Sequence, residues 1–272
     1  IGAGPAGMSA AYYLRMKGYP VTIFEKEEKP GGMLRYGIPS FRLDKAIIDA
    51  EIDVLKKMGI HFNCGVEIGK DITIDDLRKQ GYEAIYIAIG AQGGKKLDVP
   101  GMDEDYVMTG IDFLREVNHY EKEDYLHGNV VVVGGGNVAM DVARAALRSG
   151  ASQVDLFCLE SEREMPASDD EIEEARHEGI IMHCGWGPKE IKDHHITFKQ
   201  CMSLRDENGS FNPDYNESHT ETYECDYVLL SVGQDIVPID QLDIETRPNG
   251  TIKADNTTLQ TSIEDIFVGG DV

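Results

Sequence analysis

The sequence predicts an α/β fold of two βαβ units, the second nested within the span of the first. Three observations predict it. The glycine turn Gly2-x-Gly4-x-x-Gly7 opens a helical stretch, and a β-rich run follows. A second turn, Gly134-x-Gly136-x-x-Ala139, follows four valines and repeats that order. The chain then ends in "TSIEDIFVGGDV", a strand running into Gly-Gly-Asp, and no low-complexity linker separates the parts. Residues 1–105 and 236–272 thus read as one discontinuous domain, and 106–235 as a domain inserted in it.

The elements follow in order. Ala6 to about Lys17 reads as a helix that Gly18-Tyr19-Pro20 ends. "VTIFE" (Val21 to Glu25) is a β-rich run. "KPGGMLRYGIPSF" is predicted to form no regular element, because Gly31, Gly32, Gly37 and Pro39 break it. From Leu43 to Met58, the apolar spacing of Ile47, Ile48, Ile52, Val54 and Leu55 suits an amphipathic helix. Strands are expected at His61–Val66 and Ala84–Ile89, and a helix from about Val107 to Asn118. "NVVVVGGG" starts the second unit, with a helix from Val138 to about Ser149 and a second strand in "QVDLFCLE". A polar helix near Asp169–His177 and a strand at Ile180–His183 come next. The residues from His194 onward read as strands around a long polar hairpin loop, returning in Tyr227–Val232.

The two glycine turns carry the chemistry. Gly2 permits a tight turn, Gly4 lets backbone approach a pyrophosphate, and Gly7 lets helix pack on strand. Pro5-Ala6 is a filling that favours the turn. The helix N-terminus offers N–H groups and a partial positive charge to phosphate. Glu25, at the end of the next strand, stands where a carboxylate binds a ribose hydroxyl pair. The second turn offers Gly134, Gly136, Asn137, Val138 and Ala139, and its second strand ends at Glu160. A carboxylate there accepts from ribose hydroxyls and repels a 2′-phosphate. Alanine at the third position is common in NADP sites, and Arg163 lies three residues on, so the cues disagree. Charge repulsion is a direct energy, whereas Ala139 only adjusts packing. NADH is therefore expected over NADPH.

Composition removes several classes. The net charge of −23 disfavours a nucleic-acid partner. No apolar run is long enough to cross a bilayer. The five cysteines show no CxxC spacing. That argues against a redox dithiol and against an iron–sulfur cluster held by this chain alone, and it fits a reducing, cytoplasmic setting. The eight histidines show no metal-ligand spacing, and no metal site is expected. Only Ile1 precedes the first turn, and the chain stops just after Asp271. The sequence is expected to be a piece of a longer protein, trimmed at both ends.

Three separated stretches resemble a known family. "IGAGPAGMSAAYYLRMKGYPVTIFEKEEKPGGMLRYGIPSFRLDK" resembles the flavin domain of glutamate synthase small (beta) subunit-like, FAD-dependent NAD(P)H oxidoreductases. "GGGNVAMDVARAALRSGA" with "MPAS" resembles their nicotinamide domain, and "TSIEDIFVGGDV" their second flavin motif. The group belongs to the two-dinucleotide-binding-domain flavoproteins. It includes parts of dihydropyrimidine dehydrogenase and of electron-bifurcating transhydrogenases.

The resemblance implies two Rossmann-like dinucleotide-binding domains, the NAD(P)-binding one inserted into the FAD-binding one. It implies that Gly2, Gly4, Gly7 and Glu25 hold the ADP half of FAD. Gly32, Met33 and Leu34, with Arg35 nearby, would line the pyrophosphate and flavin. Val66 would lie by the adenine, and Ala88 and Gly90 at the crossover. Asp271 after Gly270 would bind the ribityl chain or a phosphate-side hydroxyl, and Gly233 joins the candidates of the second domain. Family members carry two arginines on the strand-end turn before "MP"; here Leu159 and Glu160 stand there, which supports NADH. The family's cysteine-bearing N-terminal extension has no counterpart in this sequence.

The activity implied is hydride transfer from NADH or NADPH to FAD. Electrons would then pass to an iron–sulfur partner domain or subunit. Hydride transfer needs no side-chain acid, base or nucleophile, so no catalytic residue is named. A disulfide reductase of the same architecture would need paired cysteines in the two motifs, which have none. A non-catalytic nucleotide-binding or scaffolding subunit would sit poorly with intact motifs. No feature demands a flavin monooxygenase.

Overall fold

The computed structural model describes residues 1–120, 124–240 and 242–272. The chain forms two compact units, Ile1–Gly93 with Asp235–Val272, and Gly94–Gln234. The first crossing falls ahead of residue 106 because "LDVP" belongs to the second unit. Leu97 and Val99 pack there against the cluster of Tyr106, Val131 and Val133.

In the first unit, Pro5–Met16 is a helix that Pro5 starts and Lys17 closes. The strand Thr22–Glu25 pairs in parallel with His61–Cys64. Ile85–Ile87 pairs in parallel with Ile266–Val268, which brings the last segment beside the first domain's strands. The helix Lys45–Lys57 is capped by Asp44, whose side chain accepts from the Ala46 N–H. It buries Ile48, Ile52 and Leu55, while Ile47 and Val54 stay exposed. The cores are Ala3, Ala11, Ile23, Leu55 and Ile60 in one cluster, and Phe24, Leu77, Ile87 and Ile266 within another.

Two local features differ from the sequence reading. Met33–Tyr36 forms one helical turn inside the glycine-broken stretch. Gly32, at φ +54°, and Gly37 end it rather than prevent it. A short helix, Ile74–Lys79, was not predicted. Thr73 and Asp76 close it with a reciprocal capping box, and it buries Ile74 and Leu77.

The second unit holds a five-stranded parallel sheet. Its order is Val107–Thr109, Tyr227–Leu230, Asn129–Val133, Gln153–Cys158, Ile181–Cys184. The helix expected from Val107 begins at Gly110, because Val107–Thr109 pairs with Val228–Leu230 at the sheet edge. Asn137–Arg148 packs its small face (Ala139, Ala143, Ala146) into an apolar cluster with Val132 and Leu156.

A three-stranded antiparallel sheet follows: Trp186–Lys192, His195–Arg205 and Phe211–Glu224. The expected long polar loop is instead ladder almost throughout. Its tip is short, and the Asp206 carboxylate accepts from the Asn208 and Ser210 N–H groups there. Strand Phe211–Glu224 is largely exposed, so the polar composition reads as loop although the backbone is paired. Among the described residues, no helix is long and apolar enough to cross a membrane.

Candidate functional site

The first cleft is built on bare backbone. Gly2 has φ +96°, and a Cβ there would lie 2.4 Å from the Ala88 carbonyl oxygen. A Cβ on Gly7 would lie 2.0 Å from the Gly2 carbonyl oxygen, so helix and turn touch only because Gly7 is glycine. Gly4 differs: its φ is −78°, and a Cβ would meet only the Gly32 Cα, at 3.8 Å. Structure therefore explains Gly2 and Gly7, while the space above Gly4 opens to the cleft.

Glu25 is 6% exposed and fixed at both oxygens. One accepts from the Ala3 N–H at 2.7 Å, the other from the Glu27 N–H at 2.9 Å. The carboxylate is thus held against the glycine turn, and each oxygen retains a lone pair for a ligand hydroxyl.

The cleft encloses about 360 Å³. Gly2, Gly4, Pro5, Ala6 and Glu25 form one wall, and Gly32 and Met33 face them. Val66, Ala88, Gly90, Gly270 and Asp271 also line it. Leu34 and Arg35 do not. Arg35 is buried; its Nε donates to the Pro30 carbonyl at 2.7 Å and its guanidinium pairs with Asp49. It braces the loop from behind. Tyr36, Lys70, Gln92 and the segment Val237–Asp240 line the cleft as well. No glycine pattern marks these residues, and the last segment is distant in sequence. Burial pushes the Tyr36 phenol up, and its hydroxyl donates to the Lys29 carbonyl at 3.1 Å.

The second cleft encloses about 820 Å³ within the inserted unit. Gly134 has φ +142°, and a Cβ there would lie 2.4 Å from the Ser231 carbonyl oxygen. Gly136 has φ −93°, and a Cβ there meets nothing within 4 Å. Gly134, Gly136, Asn137, Val138, Glu160 and Gly233 line this cleft. Ala139 is fully buried beneath it. The "MPAS" stretch is stitched to the loop. Ala167 N–H donates to the Gly135 carbonyl at 3.1 Å, and Ser168 N–H to Asn137 Oδ1 at 2.8 Å. Glu160 Oε2 lies 2.8 Å from where a Cβ of Gly135 would be, so the carboxylate rests on the loop.

Arg163 is exposed and does not line the cleft. The antiparallel sheet supplies a wall that the sequence did not reveal: Trp186, Lys199, Phe211 and Tyr215. Lys199 Nζ sits 4.1 Å over the Tyr215 ring and 2.6 Å from a Glu217 oxygen.

Both clefts fit a dinucleotide. Asp44 and Thr73 cap two other helices with side chains, but Pro5–Met16 and Asn137–Arg148 start at glycines with no side-chain cap. Pro5 has no N–H and the Ala139 N–H donates to the Gly136 carbonyl, so Ala6, Asn137 and Val138 offer the first-turn N–H groups for an anion. Each turn has one glycine that the fold does not need and a pyrophosphate does, and each has a strand-end carboxylate. No cysteine lines the first cleft.

Two Rossmann-like units, each with such a turn, define a two-dinucleotide-binding-domain protein. The chain belongs to the pyridine nucleotide-disulphide oxidoreductase family, whose pattern it matches over residues 1–272. FAD and NAD(P)H are the cofactors of that family. Among relatives, the chain is 41% identical over 283 residues to the NADP(+)-dependent formate dehydrogenase subunit beta of Moorella thermoacetica, covering all of this chain and 40% of that one. It is 35% identical to the NAD-dependent dihydropyrimidine dehydrogenase subunit PreT of Escherichia coli O157:H7, covering 100% and 61%. It is 30% identical to the glutamate synthase [NADPH] small chain of Azospirillum brasilense, covering 100% and 60%. The chain thus spans 40% to 61% of the length of these relatives. In fold it matches Mycobacterium tuberculosis FprA in complex with NADPH, with a TM-score of 0.84 at 20% identity over 99% of this chain and 77% of that one.

Proposed function

We propose that the chain is the flavin and nicotinamide module of a larger oxidoreductase, taking hydride from NADH in preference to NADPH. The chemistry supplied by FAD, when bound in the first cleft, would be that of a hydride acceptor and electron donor, with an iron–sulfur domain or subunit as the partner. This chain's residues bind, orient and exclude. Gly4 and the uncapped N-terminus of Pro5–Met16 would seat the FAD pyrophosphate. Glu25 would accept from ribose hydroxyls, and Asp271, whose neighbour Gly270 lies against Ala6, would bind the ribityl chain or a phosphate-side hydroxyl. Gly136 and the N-terminus of Asn137–Arg148 would seat the second pyrophosphate. The setting we assign is the cytoplasm, consistent with five free thiols.

The observation that carries the nucleotide preference is Glu160 resting on Gly135. Two unit charges 4 Å apart interact by about 4 kcal/mol at an effective dielectric of 20. A 2′-phosphate beside this carboxylate would therefore be strongly opposed. The relatives' names include both NAD- and NADP-dependent enzymes, so the family alone does not give the preference. Equilibrium titration of NADH and NADPH into wild type and Glu160→Gln tests this. The expected result is a wild-type preference for NADH that shrinks at least tenfold in the variant. An unchanged ratio would remove Glu160 from the discrimination.

A further inference from the structure

The second unit contains three sulfur atoms that no part of the proposed reaction uses. Cys158 and Cys184 are register partners on adjacent parallel strands, so their side chains leave the same face of the sheet. Neighbouring strands of a sheet run about 4.8 Å apart, so register partners on one face carry their side chains side by side. Cys184 Sγ also lies 3.8 Å from Met165 Sδ. All three pack in one apolar cluster, in which Cys158 is 2% and Met165 8% exposed. Cys184 is only half-buried and gives the cluster an edge toward solvent.

We propose that Cys158, Cys184 and Met165 form a binding site for a soft, monovalent d10 metal ion of the Cu(I) class. Thiolate and thioether sulfur select such ions over hard cations. Metal–thiolate bonds of about 2.3 Å would space the three sulfurs of a trigonal centre about 4.0 Å apart. The Cys184–Met165 edge of 3.8 Å is close to that spacing. A structural zinc site needs four ligands. Among the described residues, no group of three or more His, Cys, Asp or Glu side chains is placed to hold a metal ion.

Binding is ligand exchange without a change of oxidation state. At each cysteine an S–H bond breaks and a metal–sulfur bond forms, and two protons leave to solvent. The thioether adds a lone pair. Burial pushes both thiols up, and metal binding displaces their protons. The Cys158 thiol donates to the Glu160 carbonyl at 3.6 Å. That carbonyl also accepts from the Gly185 N–H at 2.9 Å, so losing the thiol proton leaves no orphaned acceptor. Cys158 also lines the second cleft, whereas Met165 and Cys184 do not.

The test is an anaerobic Cu(I) titration against the competing chelator bicinchoninate. It compares wild type, Cys184→Ser, Met165→Leu, and a variant with Cys64, Cys201 and Cys225 all changed to serine. Wild type and the triple variant are expected to bind one more tight Cu(I) per chain than Cys184→Ser. Met165→Leu is expected to weaken that ion at least tenfold. Equal stoichiometry in Cys184→Ser and wild type, loss of the ion in the triple variant, or unchanged affinity in Met165→Leu would each overturn the assignment. A second readout needs no variant: Cu(I) should protect Cys184 from alkylation in the native protein, and absence of protection also overturns it.

Discussion

Replacing Gly136 with alanine separates what the second glycine turn does for the fold from what it does for a ligand. Gly136 precedes the helix Asn137–Arg148 with φ −93° and ψ 175°, a backbone that any residue adopts. A Cβ there touches nothing within 4 Å. The structural penalty is therefore that of alanine for glycine at an N-cap, about 1 kcal/mol or less. That lowers the thermal midpoint by roughly 2–4 °C in a domain of this size. The ligand penalty is larger. A methyl group in the path of a pyrophosphate overpacks the contact by about 1–3 kcal/mol, or roughly 5- to 150-fold in Kd. Calorimetric titration of the dinucleotide, paired with thermal unfolding, reads both effects. Gly134→Ala is the contrast: φ +142° and a carbonyl 2.4 Å from the new Cβ make it a folding defect. Wild-type affinity in a folded Gly136→Ala protein would refute the placement of the pyrophosphate at this turn.

Three further outcomes follow from the same geometry. Gly4→Ala should purify folded but depleted of FAD, because its Cβ has room in the protein and none beneath a pyrophosphate; flavin content per chain checks it. Gly7→Ala, whose Cβ would lie 2.0 Å from a backbone oxygen, should lose about 1–3 kcal/mol of stability, seen in denaturant midpoints. The Thr73 hydroxyl, followed by the Lys79 ammonium, lowers the Asp76 carboxyl from 3.8 to about 2. A depressed carboxylate stabilises the fold fully above the unfolded pKa and ceases to do so as pH falls through the folded one. The midpoint difference between wild type and Asp76→Asn should thus be constant above about pH 5 and vanish below about pH 2; acid-range thermal melts measure it.

The glycine turns were legible because a backbone constraint leaves a mark on composition. Gly2, Gly7 and Gly134 each stand where a Cβ would strike a carbonyl oxygen, and no other residue fits. Glu25 and Glu160 were legible from their distance along the chain, which a βαβ unit fixes. Other features left no such mark. Val107–Thr109 is three residues long and is a strand only because Val228–Leu230 runs beside it. Phe211–Glu224 carries polar side chains on a paired backbone, so its pattern resembles loop. Trp186, Phe211 and Tyr215 reach the second cleft from that sheet, and Val237–Asp240 reaches the first from far along the chain. Arg35 shows the reverse case. A basic residue in a cofactor-loop motif suggests phosphate, yet Pro30 and Asp49 already engage its guanidinium.

On this reading, one chain seats a flavin and a nicotinamide and moves hydride between them. Anaerobic stopped-flow reduction of the FAD-loaded protein tests it most directly, with NADH and NADPH compared side by side. Rapid flavin bleaching by NADH and slower bleaching by NADPH are expected. Flavin that stays oxidised with both nucleotides, while demonstrably bound, would contradict it.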